Sequence, residues 1–291
     1  MSLQPSMEVV DHFNIRVIAS LGGRLNQHWL VESQGERLVL RRWSQPTDDV
    51  FYEVRLLQRL AALSWPVAPV IAEPIEYDGV WWSLAPFLPG APRSDKYSSA
   101  EQRERGRLLA KFHADLSLLQ DVGQRGRWRR CEEILGDPHV DHVLAANQRT
   151  QPDDVRILRW HLDRARERIA DLQLHERPGI VVHGDFTQWN LLFNNGHLSG
   201  ILDFELSHRD HRIADFALAW RGKYDDVIHA YNEVAPLEPE EWASITPMWW
   251  AFLIDGAYQN MRDGIRDDGW TIKQLLRRSP LMGPDAAAFR L

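Results

Sequence analysis

Three residues with oxygen-bearing side chains, Asp185, Asn190 and Asp203, stand close together in this chain, each at the edge of an apolar run. Asp185 closes Val181-Val182-His183-Gly184-Asp185, Asn190 follows it by five positions, and Asp203 closes Gly200-Ile201-Leu202-Asp203. The apolar runs read as short buried strands, and Asn194-Asn195-Gly196 between them reads as a hairpin turn. A strand–turn–strand unit would gather two carboxylates and one amide. Mg²⁺ takes hard oxygen ligands, is commonly held by one or two carboxylates, and completes its shell with phosphates and water. One carboxylate and the amide therefore suit a Mg²⁺-nucleotide, and the second carboxylate is left to face an acceptor hydroxyl. This reading requires the side chains of residues 185, 190 and 203 to converge on one metal-bearing triphosphate.

Composition narrows the setting. The chain has 291 residues, 44% of them hydrophobic and 26% charged, enough for one large domain or two lobes. A formal net charge of −7 argues against a nucleic-acid binder and is compatible with a cationic substrate. No apolar run approaches the roughly 20 residues of a membrane span, and the first residues have no basic start or apolar stretch of a secretory signal. Cys131 is the single cysteine, so no internal disulfide forms and a cytoplasmic setting is expected. The thiol itself reads as semi-buried and without a role.

The elements that must position these residues begin with an alternating strand over 13–20. It turns through Leu21-Gly22-Gly23-Arg24-Leu25-Asn26 into a second strand at 27–32. The Gly22-Gly23 pair lets backbone approach a phosphate closely, or serves a plain hairpin. It is neither a Walker A loop nor a Rossmann glycine pattern. In the third strand, 37–43, Arg41 either reaches a phosphate or snorkels to solvent. A helix starting at Asp48, capped by Asp48 or Thr47, carries Glu53 one turn in, where it faces Arg41 or is solvated. A hairpin turning at Asp78-Gly79 then leads into Ala85-Pro86-Phe87-Leu88-Pro89-Gly90, an inter-lobe hinge whose backbone at Pro86, Phe87 and Leu88 can meet an adenine edge. Strands dominate before Pro89 and helical pattern dominates after it.

Helices are expected over 98–119, 140–147, 153–174, from Asp215 onward, and over 225–234, 239–261 and 271–278, with a loosely held tail in the last dozen residues. His113 on the first of these reads as a hydrogen-bonded core histidine. His139-Val140-Asp141-His142 has metal-ligating residue types, but nothing extends it. Ser207-His208-Arg209-Asp210 reads as a polar turn. Five acids after the hinge, Glu205, Asp225, Asp226, Asp255 and Asp263, either receive a substrate ammonium or are solvated.

The order of these parts resembles the protein-kinase-like fold, and within it the aminoglycoside phosphotransferase/choline kinase family. The motif reads His183-Gly184-Asp185 rather than His-Arg-Asp, and Asp203-Phe204-Glu205 ends in glutamate where a protein kinase has glycine. Asp203 to Asp215 is 215 − 203 = 12 positions, too short for a peptide-docking activation segment. The stretch 231–241 is similar to the tail segment of homoserine-kinase-like members. The resemblance implies an α+β, two-lobed fold: an N-lobe over 1–88, a small antiparallel sheet with one helix, and a larger, mostly helical C-lobe over 89–291. It implies an ATP-dependent (or GTP-dependent) transfer of a phosphoryl group to a hydroxyl of a small molecule: an amino alcohol, a homoserine-like metabolite, a sugar or an aminoglycoside, cationic in some of these cases. Asp185 would orient or deprotonate that hydroxyl, Asn190 and Asp203 would hold Mg²⁺, His183 would brace the loop, and Asp215 would bond back to its backbone. Arg41 stands where the family's phosphate-binding lysine is expected, with Glu53 as its partner. Read as a lost lysine, it would instead make the chain a catalytically silent nucleotide-binding protein. Neither nucleic acid nor membrane is expected as a partner, and the assembly is expected to be a monomer or homodimer.

Overall fold

A computed structural model describes residues 4–284 apart from Arg24, Arg127, Gln173, 175–177 and Asp267. The chain forms two compact units. The first comprises the residues up to Arg93 together with Asp121–Gly126 and Trp189–Glu205; the second comprises Ser94–Gln120, Arg127–Gln188 and the residues from Leu206 onward. The sequence reading divides the chain once, after Leu88, whereas the contacts bring two later stretches into the first unit.

The first unit opens with a short helix α1 (Met7–His12) ahead of the first strand that the sequence pattern shows; its Val9 is fully buried. β1 (Arg16–Gly22), β2 (Gln27–Ser33), β3 (Glu36–Arg42), β4 (Ile75–Tyr77) and β5 (Val80–Pro86) form an antiparallel sheet in the order β1-β2-β3-β5-β4. Trp29, Val31, Leu38, Leu40, Trp82 and Leu84 fill one core cluster with Val9 and Ile15. Period-two alternation puts Arg41 on the opposite face of β3 from Leu38 and Leu40. Trp43, Val50 and Val54 make a second cluster there, and the last two lie on α2 (Thr47–Ala62). Pro46 is the N-cap of α2 and no side chain caps it. Thr47 instead accepts a hydrogen bond from Trp81 Nε1 at 3.0 Å, so the expected Thr47 or Asp48 cap is not used. Pro46, its φ fixed near −59°, sets the entry of the chain into the helix.

In the second unit, α3 (Ser99–Leu116) starts at a Ser98 cap whose Oγ accepts from Glu101 N at 3.2 Å. α4 (Cys131–Gly136), α5 (Pro138–Asn147) and α6 (Pro152–Ile169) follow. β6 (Ile180–Val182) pairs with β9 (His208–Asp210), while β7 (Leu191–Asn194) and β8 (His197–Ile201) form a hairpin belonging to the first unit. Asn195 and Gly196 turn that hairpin with φ of 50° and 81°, the geometry an Asn-Gly pair supplies. A 3-10 turn, Arg212–Asp215, precedes α7 (Phe216–Trp220), α8 (Asp225–Val234), α9 (Pro239–Arg262) and α10 (Trp270–Leu275). α3 packs closely on α8 because Gly106 has no side chain: a Cβ there would stand 2.1 Å from Val227 O. α6 packs on α9, with His161 against the buried Trp250 ring.

Two expectations are corrected. The Ser207–Asp210 sequence is not a polar turn: its last three residues are β9, and His208 and Asp210 are buried. Its polar groups find partners, with Arg209 donating to Gly179 O and Leu119 O and the His208 ring stacking on Trp128 at 4.8 Å. The segment after Arg278 is not loose where it is described. Pro280–Met282 form a 3-10 turn, Met282 is buried, and Arg168 donates to its carbonyl; 285–291 lie outside the described residues. Among the described residues no helix is long and apolar enough to cross a membrane.

Candidate functional site

In the first unit, the site is built around one buried carboxylate. Glu53 on α2, 1% exposed, receives Arg41 from β3 through Nη1 at 2.5 Å and Nη2 at 3.4 Å. Arg125 approaches it from the stretch Asp121–Gly126, at 3.3 Å, and is itself 1% exposed. Among the described residues, two guanidiniums meet this one carboxylate. Leaving Glu53 unpaired would cost about 3–5 kcal/mol, so at least one arginine is held here by necessity. Arg41 also lies 3.6 Å over the Trp43 ring, and among the described residues its buried Nε–H has no hydrogen-bond partner. A guanidinium fork of this kind suits phosphate oxygens.

The glycine loop enters beside this group. Gly22 and Gly23 have φ of 78° and 131°, and a Cβ on Gly23 would lie 1.8 Å from Asn26 O, so glycine is required at that position. Asn26 follows, 1% exposed; its Nδ2 donates to Glu205 at 2.8 Å and its Oδ1 accepts from Ser44 N at 2.9 Å. His28 lies opposite Arg41 in the β2–β3 register, and burial and the arginine charge bring its pKa down to about 4, so it is neutral. Burial first, then the charge of Asp203, pushes Glu205 up to about 7, against the pull of Arg41.

Asn190 immediately precedes β7 and Asp203 follows β8. Leu202 N donates to Asn190 O at 2.8 Å, which closes the open end of the hairpin and sets both residues there. Asp203 is exposed and has φ of 66°, a left-handed conformation in which a non-glycine residue is uncommon. An amide and a carboxylate at one hairpin end are hard oxygen donors of the kind Mg²⁺ selects. Pro86, Phe87 and Leu88 leave the sheet half-buried, with Phe87 N–H donating to Arg37 O at 3.3 Å. Gly90 lets this segment run against the hairpin, where Ala91 bridges Phe193.

In the second unit, β6 delivers His183-Gly184-Asp185. The fully buried Asp215 accepts His183 N–H at 2.8 Å and Gly184 N–H at 2.5 Å. His113 Nε2 lies 2.8 Å from the same carboxylate, while its Nδ1 meets Tyr231 Oη at 2.9 Å, so His113 is a hydrogen-bonded core histidine. Burial alone would raise the Asp215 pKa; the bonds from His113 and the His183 backbone outweigh it and hold the group below the ordinary carboxylate range. His183, itself buried between the Phe112 and Phe186 rings, accepts Asp185 N–H on Nδ1 at 3.1 Å. Asp185 is half-buried.

The other acids resolve differently. Asp225 accepts from Trp220 Nε1 and Ser279 Oγ, Asp226 from Ser99 Oγ, Asp255 pairs with Arg129, and Asp263 with Arg262. None of these four is simply solvated, because each meets a donor of its own unit. Asp141 is engaged by Arg166 at 2.7 Å. Glu132, Asp210 and His211 bring ligand atoms within 4.8 Å of one another, but His211 Nε2 closes on Glu132 at 3.2 Å. Burial pushes the Cys131 thiol well up, leaving it inert. Two residues of the site escape the sequence reading. Arg125 stands in a short link with no periodicity or motif, and Asn26 ends a loop read for its glycines.

Residues 16–244 match the phosphotransferase enzyme family. The chain belongs to that family. Curated members similar to it include a homoserine kinase of Methylobacterium radiotolerans, 30% identical over 183 residues, covering 56% of this chain and 52% of that protein, about half its length. A homoserine kinase of Phenylobacterium zucineum is 26% identical over 247 residues, 76% of this chain and 71% of that one. Among solved structures, a thermostable mutant of aminoglycoside phosphotransferase APH(4)-Ia, in ternary complex with ADP and hygromycin B, superposes with a TM-score of 0.66 at 19% identity. That match covers 92% of this chain and 95% of the other. The phosphotransferase fold is thus α+β, with an antiparallel N-terminal sheet and a helical C-terminal region, as the chain itself shows.

Proposed function

We propose that this phosphotransferase moves the γ-phosphoryl group of Mg-ATP (or Mg-GTP) to a hydroxyl of a small hydroxylated metabolite, with homoserine-like amino alcohols preferred over aminoglycosides. The observation that carries the reading is Arg41: tied to Glu53, backed by a second guanidinium, and left, among the described residues, with an unsatisfied buried N–H. Such a fork can grip phosphate oxygens bidentately, and Glu53 holds it in place. The preference for homoserine-like acceptors is supported by the two curated relatives of that name, at 30% and 26% identity, against 19% for the hygromycin-bound structure.

Phosphoryl transfer passes through a loose transition state, so the protein contributes positioning and charge neutralisation. Asn190 and Asp203 would hold the metal, which when bound would neutralise charge developing on the phosphates. Gly22 and Gly23 let the loop backbone lie over the phosphates, and the backbone at 86–88 meets the base. Asp185 orients the acceptor hydroxyl and takes its proton late, for which an ordinary carboxylate suffices. His183 fixes the loop through Asp185 N–H.

The test is a panel of amino alcohols, sugars and aminoglycosides with Mg-ATP, scored for ADP release and phosphorylated product. Asp185→Ala is expected to lower transfer at least ~100-fold while ATP affinity stays within a few-fold. Asp203→Ala should weaken Mg-ATP binding as well. Tight ATP binding with no transfer to any acceptor would favour the catalytically silent alternative, and equal loss of nucleotide binding in both variants would overturn the roles given to them.

A further inference from the structure

We infer that Arg125 is a positioning residue that locks the Arg41–Glu53 pair and the Asp203 turn into one geometry, an inference that rests on the kinase reading above. The guanidinium is flat and buried, and it reaches in two directions. Nη2 donates to both Glu53 Oε2, at 3.3 Å, and the Phe204 carbonyl, at 3.4 Å, while Nη1 donates to the Glu205 carbonyl. The guanidinium carbon also stands 5.1 Å over the Tyr52 ring, and the side chain is 1% exposed. A continuous set of contacts therefore runs from Arg41 through Glu53 and Arg125 to the backbone that immediately follows Asp203.

That backbone needs holding. Asp203 adopts a φ of 66°, which a β-carbon disfavours and which persists where surrounding structure imposes it. Two carbonyls anchored on Arg125 on one side, and Leu202 N–H anchored on Asn190 O on the other, supply that constraint. Neutralising Glu53 would not by itself call for this arrangement, because Arg41 already does so. Arg125 adds a mechanical link between the phosphate-facing cation and the metal-facing carboxylate. A lysine, with one ammonium and no fork, cannot span a carboxylate and two carbonyls in this way.

The experiment measures ATP affinity by calorimetry with EDTA and again with Mg²⁺, together with kcat and acceptor KM, for wild type, Arg125→Lys and Arg125→Met. Arg125→Lys keeps the charge beside Glu53 and serves where Arg125→Met does not fold. ATP binding in EDTA should stay within a few-fold in Arg125→Lys. The gain in affinity on adding Mg²⁺ should shrink about tenfold and kcat fall about 100-fold at near-constant acceptor KM, the range typical for partners that orient metal ligands. In an Asp203→Ala background the same change should leave ATP affinity where Asp203→Ala alone puts it. An Arg125→Lys protein with the full magnesium-dependent gain and wild-type kcat overturns the inference and leaves the kinase reading intact. Wild-type protein that binds ATP under neither condition overturns the kinase reading, and this one with it.

Discussion

Asp215 gathers three donors on a carboxylate with no solvent exposure: two backbone N–H groups of the His183-Gly184 turn and the His113 ring. Its folded pKa lies below the ordinary carboxylate range, so the unfolded chain binds a proton more readily than the folded one. Stability from this group is therefore fully present above the unfolded value, about 4, and is lost as pH falls through the folded value. Asp215→Asn puts an amide donor against an N–H and should cost about 3 kcal/mol. It should also remove this group's share of the acid sensitivity, which denaturant titrations at neutral and acidic pH will show. An unchanged midpoint at neutral pH would contradict the bracing role. Asp215 was legible because the family resemblance places an aspartate that bonds back to the catalytic-loop backbone after Asp203-Phe204-Glu205. Arg125, 72 positions from Glu53, was not, because its identity as a partner depends on a link that folds against α2 and carries no pattern of its own.

At the scale of elements, the turn after β6 shows why the motif has glycine in its middle. Gly184 has φ of 82°, and a Cβ there would stand 2.2 Å from Leu206 O, where the chain returns toward β9. Gly184→Ala thus meets both a disfavoured backbone conformation and a backbone collision, with no flexible side chain to yield. A loss of at least ~2 kcal/mol is expected, from strain and displacement of β9 together; thermal denaturation measures it, and Gly196→Ala, whose turn has open space around it, is the comparison with strain alone. The same element shows where sequence patterning fails. β9 is made of histidine, arginine and aspartate, and hydrophobic alternation has nothing to detect in it. It is a strand because β6 supplies ladder partners and because Trp128, Gly179 O and Leu119 O receive its polar side chains, contacts visible only in three dimensions.

For the whole molecule, composition reports where strands give way to helices but not which later segments return. The shift near Pro89 is real in the sequence, and β1 to β5 all precede it. Yet the first unit also takes in Asp121–Gly126 and Trp189–Glu205, and the interactions they bring are not peripheral. Arg125 is one of the two cations on Glu53, Ala91 bridges Phe193, Pro66 O accepts Ile201 N–H at 2.8 Å, and a Cβ on Gly200 would lie 3.2 Å from Leu88. A fragment ending at residue 93 would keep the sheet and α2 but lose the second guanidinium and the whole β7–β8 hairpin. The sheet's own core, around Trp29 and Leu40, would survive, so collapse and some strand signal are expected. Cooperative folding is not, because the face carrying Arg41 and Glu53 would be left to water with half its partners missing. Circular dichroism melts and amide dispersion of the 1–93 fragment, set beside the full chain, decide the matter. A broad, non-cooperative transition is the expected result; a sharp two-state melt with dispersed amides would mean that the first ninety-odd residues specify their unit without the segments that return to it.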